Sequence, residues 1–206
     1  MSKYLNQFLN LKCAGDIIGI VGPMKKYEKE ITEAMAIRDV VRKITLKKPM
    51  SYTLVDVCSG NGLVPLISVF TMPIKEAIAI DIRERNRPWY LAKRFQYAIG
   101  DINNFDYINE LLYDKESVIL TACHACKHLA INTIDLYHDL NNIKHLVLMP
   151  CCQGHVGIIL PEIIKEKLGS YLTWSYYLSI KAFGTLKIDE HISSPCNALV
   201  TASKEK

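Results

Sequence analysis

The residues able to do chemistry in this chain gather at the ends of short apolar runs. The first is Asp56-Val57-Cys58-Ser59-Gly60-Asn61-Gly62, where an apolar stretch ends in two glycines flanking one residue. Such a turn lets the backbone adopt positive φ and lets a ligand approach closely, as in nucleotide-type pockets. Asp81-Ile82 closes a second apolar run and Gly100-Asp101-Ile102 a third. A carboxylate at such an end can accept a pair of hydrogen bonds from vicinal hydroxyls. Asp56 lies within its apolar run, where an unpaired carboxylate would be costly, so a partner or ligand for it is expected.

Two further ends carry cysteine and histidine. One reads Thr121-Ala122-Cys123-His124-Ala125-Cys126-Lys127-His128, the other Met149-Pro150-Cys151-Cys152-Gln153-Gly154-His155. His124 is the first candidate for a general base or acceptor-orienting group, because imidazole titrates near neutrality. His128 and His155 come after it, and Lys127 can hold a phosphate or polarise an acceptor. Three readings of the cysteines compete. Cys123, Cys126, Cys151 and Cys152 could bind structural zinc, a thiolate could add to a pyrimidine ring, or the side chains could simply pack. The adjacent pair Cys151-Cys152 is a poor substitute for a second Cys-x-x-Cys, so no metal is expected. Packing is expected for Cys13, Cys58 and Cys196.

The elements that must position these residues follow from periodicity. Continuous apolar runs at Tyr52–Val57, Glu76–Ile82, Phe95–Asp101, Ser117–Ala122 and His145–Pro150 predict buried parallel strands. Helical spacing predicts helices over Lys26–Lys43, Val64–Phe70, Leu129–Leu140 and Glu162–Phe183, and a helix or polar loop over Ile102–Tyr113. Asn86–Phe95 reads as a helix or ordered loop rich in arginine and aromatics. Tyr4, Leu5, Phe8, Leu9 and Leu11 have near-helical spacing, after which Gly15, Gly19, Gly22 and Pro23 are expected to break the chain. Thr185–Ile188 and Ala198–Ala202 are expected as antiparallel edge strands. The fold class is therefore α/β, a doubly wound, mostly parallel seven-stranded sheet with an antiparallel last strand and an N-terminal helical extension. The expected division is an extension over 1–48 and a ligand-binding domain over 49–206.

Ligand identity turns on Pro65. A dinucleotide fingerprint wants a third glycine where Pro65 stands, behind bulky Leu63 and Val64. Asp56-x-Cys58-Ser59-Gly60-Asn61-Gly62 instead resembles motif I of class I S-adenosylmethionine-dependent methyltransferases. That resemblance implies that Asp56 and the turn orient the cofactor's amino-acid end, that Asp81 meets the ribose and Asp101 the adenine edge, and that Ile82 and Ile102 also contact the cofactor. It also places Ala122 beside the cofactor and the acceptor at the end of strand four. His124-Ala125-Cys126 with Pro150-Cys151-Cys152 is similar to a subgroup that includes the eukaryotic tRNA ribose 2′-O-methyltransferases acting on the acceptor stem. This narrower likeness runs over approximately residues 25–202, its specific part confined to the two blocks.

These resemblances imply a methyltransferase using S-adenosylmethionine, with RNA, including tRNA, as acceptor. Catalytic candidates are His124, Cys123, Cys126 and Lys127. Substrate-binding candidates are Cys151, Cys152, Arg83 and Arg85. Cations and aromatics interleave at Arg83, Arg85, Arg87, Trp89, Tyr90, Lys93 and Arg94, a strip that can stack a base and neutralise phosphates or pack into the fold. Alternatives are methylation of a protein or small metabolite, and a non-catalytic cofactor- or metal-binding protein. A net charge of +4 permits an anionic partner without requiring one. No basic-then-apolar leader opens the chain and no apolar run approaches the ~18 residues of a membrane span, so a cytoplasmic protein with no membrane partner is expected. Seven cysteines without a disulfide-like spacing fit a reducing compartment.

Overall fold

The computed structural model describes residues 2–152, 154 and 162–205. Seven strands form one sheet in the order β3-β2-β1-β4-β5-β7-β6. They are β1 (Thr53–Val57), β2 (Glu76–Asp81), β3 (Phe95–Ile99), β4 (Val118–Cys123), β5 (Ile143–Met149), β6 (Thr185–Ile188) and β7 (Ala198–Ser203). The first five run parallel, and β7 pairs antiparallel with both β5 and β6. The helices are α1 (Lys3–Leu9), α2 (Ala14–Val21), α3 (Tyr27–Thr45), α4 (Leu63–Thr71), α5 (Phe105–Leu112), α6 (His128–Asp139) and α7 (Glu162–Lys181).

Side-chain alternation along each strand divides the core into two layers. Leu54, Ala77, Ile119, Val147 and Leu199 face α1 to α4, with Phe8, Ile17, Met35, Ile37 and Ile67. Val55, Val57, Ile78, Ile80, Leu120, Leu146 and Val200 face the other way, with Ile108, Ile134, Trp174 and Leu178. Because both faces of the sheet are covered, the central strands are predominantly apolar, and each fully buried aliphatic side chain stabilises the fold by about 1.5–3 kcal/mol. The helices of residues 1–48 bury Tyr4, Phe8, Ile17, Ile20 and Val21 in the same layer as Leu54 and Leu66.

Two local expectations change, and the helix-or-loop alternative over Asn86–Phe95 resolves to loop. Gly15 and Gly19 lie inside α2 and do not end it; the break comes at Gly22, which adopts φ 65° and lets the chain reverse. Isolated glycines weaken a helix without stopping it, and the buried Ile17, Ile20 and Val21 hold this one in place. The arginine-rich stretch is loop, with one short 3-10 turn at Trp89–Leu91. Finally, β7 is an interior strand between β5 and β6, leaving β6 alone at that edge. Its buried Ala198, Leu199 and Val200 suit that position, whereas Thr185, Lys187 and Ile188 of β6 are exposed.

Strand order reverses between β1 and β4, since successive crossovers lead outward from β1 in one direction and from β4 in the other. In an open α/β sheet the crevice outside the strand C-termini at such a reversal is where ligands bind. All the chemistry-bearing runs of the described chain end at this rim.

Candidate active site

A cavity of about 660 Å³ opens at this rim, within the 300–1,000 Å³ typical of small-molecule sites. Its walls include Asp56, Ser59, Gly60 and Asn61 from the glycine turn, Asp81, Ile82, Arg83 and Arg85 after β2, and Asp101 and Ile102 after β3. Cys123, His124, Cys126 and His128 line it after β4. Five sequence candidates lie off its walls. Gly62 caps α4 in the left-handed conformation, and any Cβ there would face Phe95 and Trp89. Ala122 is fully buried in the α5–α7 layer. Lys127, Cys151 and Cys152 stand outside the lining, behind Cys126 and His124. His155 lies outside the described residues.

The turn is held from below. Asp56, 1 % exposed, accepts hydrogen bonds from the Ser59 hydroxyl at 2.5 Å and the Thr121 hydroxyl at 2.7 Å. Burial pushes its carboxyl up to about 7, against those two hydrogen bonds and aided by the neighbouring Asp81. Asp81 accepts from the Gly60 N–H at 2.7 Å and from the Arg83 N–H and Nε, both at 3.0 Å. Burial works to raise the Asp81 carboxyl, but the bonds from Arg83 and Gly60 outweigh it and hold it below its ordinary value. The two acids therefore differ: Asp81 is an ionised acceptor at neutral pH, and Asp56 is poised to change charge there. The Asp101 carboxylate accepts from the Asn103 N–H at 2.9 Å and its amide at 2.8 Å, shaping the turn after β3.

The aromatic strip packs around this turn. Trp89 stacks on Tyr97 with ring centroids 5.0 Å apart and donates to the Arg85 carbonyl at 2.9 Å. The Tyr97 hydroxyl sits 3.1 Å from the Gly60 carbonyl and 3.0 Å from that of Arg83. Trp89 and Tyr97 thus brace the loop that carries Arg83 and Arg85, and Tyr90 remains exposed.

The roof comes from α3 and the lysine that caps it. Lys26, Lys29, Glu30, Glu33 and Ala34 line the cavity. Glu30 accepts from the Asn61 side chain at 2.9 Å, tying the glycine turn to α3. Glu33 is completely buried, and its Oε2 lies 2.6 Å from His124 Nε2. A carboxylate can only accept here, so the His124 tautomer carries its proton on Nε2 and leaves a lone pair on Nδ1. Glu33 Oε1 and His124 Nδ1 are both buried without a hydrogen-bond partner among the described residues, and Lys29 Nζ stands 3.8 Å from Glu33 Oε1. In the sequence Glu33 looked like one more charge on an amphipathic helix. The signal that could have found it is its place in the run Ile31–Ile37, every member of which is buried.

Behind this dyad the thiols differ in character. Burial, reinforced by Glu33 and Asp56, pushes Cys123 well above its ordinary value, which disfavours a thiolate nucleophile there. Burial also pushes Cys58 up to about 12. Cys58, His124 and Lys127 adopt φ of 54°, 69° and 51°. Side chains with a Cβ occupy that region at a cost of about 1–3 kcal/mol, and such residues cluster at functional sites.

Comparison with known proteins bears on the fold and the family. Among solved structures, the methyltransferase domain of bacterial CtHen1 has a TM-score of 0.51 at 10% identity, over 84% of this chain and 99% of that one. M. capricolum TrmK, solved with S-adenosyl-homocysteine, has a TM-score of 0.43 at 12% identity, over 81% and 68%. The B. subtilis m1A22 tRNA methyltransferase TrmK has a TM-score of 0.42 at 13% identity, over 83% and 64%. At these identities the likeness is one of fold. No curated protein sequence matches. A family model described as a methyltransferase domain matches residues 25–157, a span that takes in the α3 roof, the glycine turn, the three acids and the block after β4. The chain belongs to that methyltransferase-domain family.

Proposed function

We propose that the chain transfers a methyl group to an oxygen or nitrogen of RNA, with His124 and Glu33 managing the acceptor's proton. The cofactor is S-adenosylmethionine, which when bound supplies an electrophilic methyl on a sulfonium. The residues present fit it. Asp81, ionised and at the cavity wall, offers two carboxylate oxygens to a ribose diol. Ile82, two-thirds exposed, and Ile102 give apolar contact for a purine, with Asp101 at its edge. Asp56 and the Gly60 turn remain for the charged amino-acid end.

The observation that carries the acceptor chemistry is the pair formed by buried Glu33 and His124 at the β4 end of the same cavity. A histidine whose Nε2 proton is fixed by a carboxylate keeps its Nδ1 lone pair to accept a proton, the arrangement of a general base with an orienting acid. That Nδ1 is covered in the free chain, so acceptor binding must open its cover. RNA is favoured by the cations flanking the cavity, Lys26 just before α3, Lys29 within it, and Arg83 and Arg85 from the loop after β2. Incubating the full chain with labelled S-adenosylmethionine and separate RNA, protein and small-molecule extracts tests the reading. Label is expected in RNA, with nucleoside mass spectrometry reporting the modified atom. Label confined to protein or metabolites overturns the RNA assignment.

Asp56 adds a pH dependence. Its carboxyl titrates at about 7 in the free chain, and a cofactor ammonium favours the ionised form. Affinity is therefore expected to rise with pH up to about 7 and level off above it, weakening by up to about tenfold per unit on the acid side. Calorimetry with S-adenosylhomocysteine from pH 5.5 to 8.5 checks this. The Asp56→Asn variant should bind more weakly at pH 8 and show a flat profile; an Asn variant that keeps the slope would assign it to another group.

A further inference from the structure

We propose that Cys126, Cys151 and Cys152 form a binding site for one thiophilic divalent metal ion of the zinc class, beside the methyl-transfer cavity. In the sequence, zinc on Cys123, Cys126, Cys151 and Cys152 is the disfavoured one of three readings, because one Cys-x-x-Cys and an adjacent pair do not match a zinc-ribbon spacing. Folding changes that reading. The loops after β4 and β5 lie side by side, with β4 and β5 paired from Ile119↔His145 to Cys123↔Met149. They bring Cys126 Sγ to 2.6 Å from Cys151 Sγ and 3.0 Å from Cys152 Sγ, with Cys151 and Cys152 Sγ 3.2 Å apart. All seven cysteines are free thiols.

Three sulfurs this close have poor company in one another. Thiols are weak donors and weak acceptors, so their mutual hydrogen bonds return little for the crowding. Among the described residues, their sulfur hydrogen bonds beyond the cluster go to the His124 carbonyl, 3.3 Å from Cys126 Sγ and 3.7 Å from Cys151 Sγ. A divalent ion gives all three a common partner. Zinc–sulfur bonds of about 2.3 Å in a tetrahedron set sulfurs about 3.8 Å apart, so the cluster needs to open by roughly 1 Å, a motion within reach of side-chain rotation. Each bond forms as a thiol proton leaves to solvent, with no change in oxidation state. The three thiolates carry one more negative charge than the ion cancels, and Lys127 precedes the helix beside them. Cys196, whose Sγ donates to the Cys151 carbonyl at 2.9 Å, places a further thiol against the same loop. Among the described residues Glu33, Cys123 and His124 form a second cluster of ligand-type atoms, but there Glu33 Oε2 is already engaged by His124 Nε2 at 2.6 Å.

The site's place gives it a job. Cys126 lines the cavity, whereas Cys151 and Cys152 stand behind it, so an ion there would staple the β5 loop to the β4 loop that carries His124. The full chain, reduced and stripped with chelator, is titrated with cobalt(II) and then zinc(II). One cobalt per chain is expected, with a thiolate-to-cobalt charge-transfer band that zinc abolishes. Cys126→Ser and Cys152→Ser should each weaken zinc binding by at least about 100-fold, more than losing a supporting group costs. Cys13→Ser, in the cap of α2, should leave binding unchanged. Circular dichroism and S-adenosylhomocysteine binding confirm that each variant is folded. Absence of the band from the folded, reduced parent overturns the site, as does an equal loss in Cys13→Ser.

Discussion

Replacing His124 with Ala is expected to lower kcat for methyl transfer by about 10²–10⁴-fold, the range that a positioned general base contributes, while cofactor affinity moves by no more than a few-fold. Glu33→Gln should lower kcat by at least about tenfold through a different route. Gln keeps an oxygen to accept the His124 Nε2 proton but removes the charge that stabilises an imidazolium. The two variants also differ in stability. Glu33 is fully buried with one carboxylate oxygen unpartnered, and an under-satisfied buried charge is a net cost to folding. Glu33→Gln should therefore melt at the same temperature as the parent or higher while losing activity. A loss of both activity and stability would mark Glu33 as structural. Added imidazole should restore part of the activity of His124→Ala, since the missing group is a proton acceptor of that size. If imidazole has no effect and the pH–rate profile of the variant matches the parent, His124 only shapes the pocket.

How far the sequence disclosed this site depends on which element carries each residue. Asp56, Asp81 and Asp101 were legible because each terminates a buried parallel strand, and parallel strands all empty onto one rim. His124 and Cys126 were legible for the same reason, lying just past β4. The α3 residues were not. A helix shows only a face pattern, and Glu33 fits the charge spacing of a solvated face until the sheet is seen to cover it on one side and the rim on the other. Nor did the pattern show that α3 would roof the cavity, because helix placement is decided by packing and not by local propensity. The cysteines illustrate a third case. Their spacing in sequence argued against a metal, and only the pairing of β4 with β5 brings Cys126 to Cys151 and Cys152. Arg83 and Arg85 were placed correctly at the rim, but their engagement with Asp81 and with the Trp89–Tyr97 stack is a property of the folded loop.

That engagement leads to the second large effect. Asp81→Ala should weaken S-adenosylhomocysteine binding by about 10²–10⁴-fold, the worth of two hydrogen bonds to a charged acceptor. In the free chain, however, Arg83 occupies the same carboxylate: its Nε lies 3.0 Å from Oδ1, and its side chain is 62% exposed. The pair is solvated at the Arg83 end and only 5% exposed at the Asp81 end, so a ribose diol can replace the guanidinium's bonds while water takes up the released head group. Arg83→Ala should then change cofactor affinity by no more than about fivefold, and any change should be toward tighter binding, because a competitor has gone. The Gly60 N–H, 2.7 Å from Asp81 Oδ2, complicates Asp81→Ala, since losing that anchor loosens the glycine turn as well. Asp81→Asn separates the two contributions. Its side-chain oxygen can keep the Gly60 bond while the charge is lost, and its deficit should fall between those of the parent and the Ala variant. Binding of a 2′-deoxy analogue completes the cycle. If Asp81 holds the ribose, the analogue and the substitution each cost affinity, but together they cost less than the sum. Additive losses would mean that Asp81 acts only through the turn, and that the diol is held by some other group of the cavity.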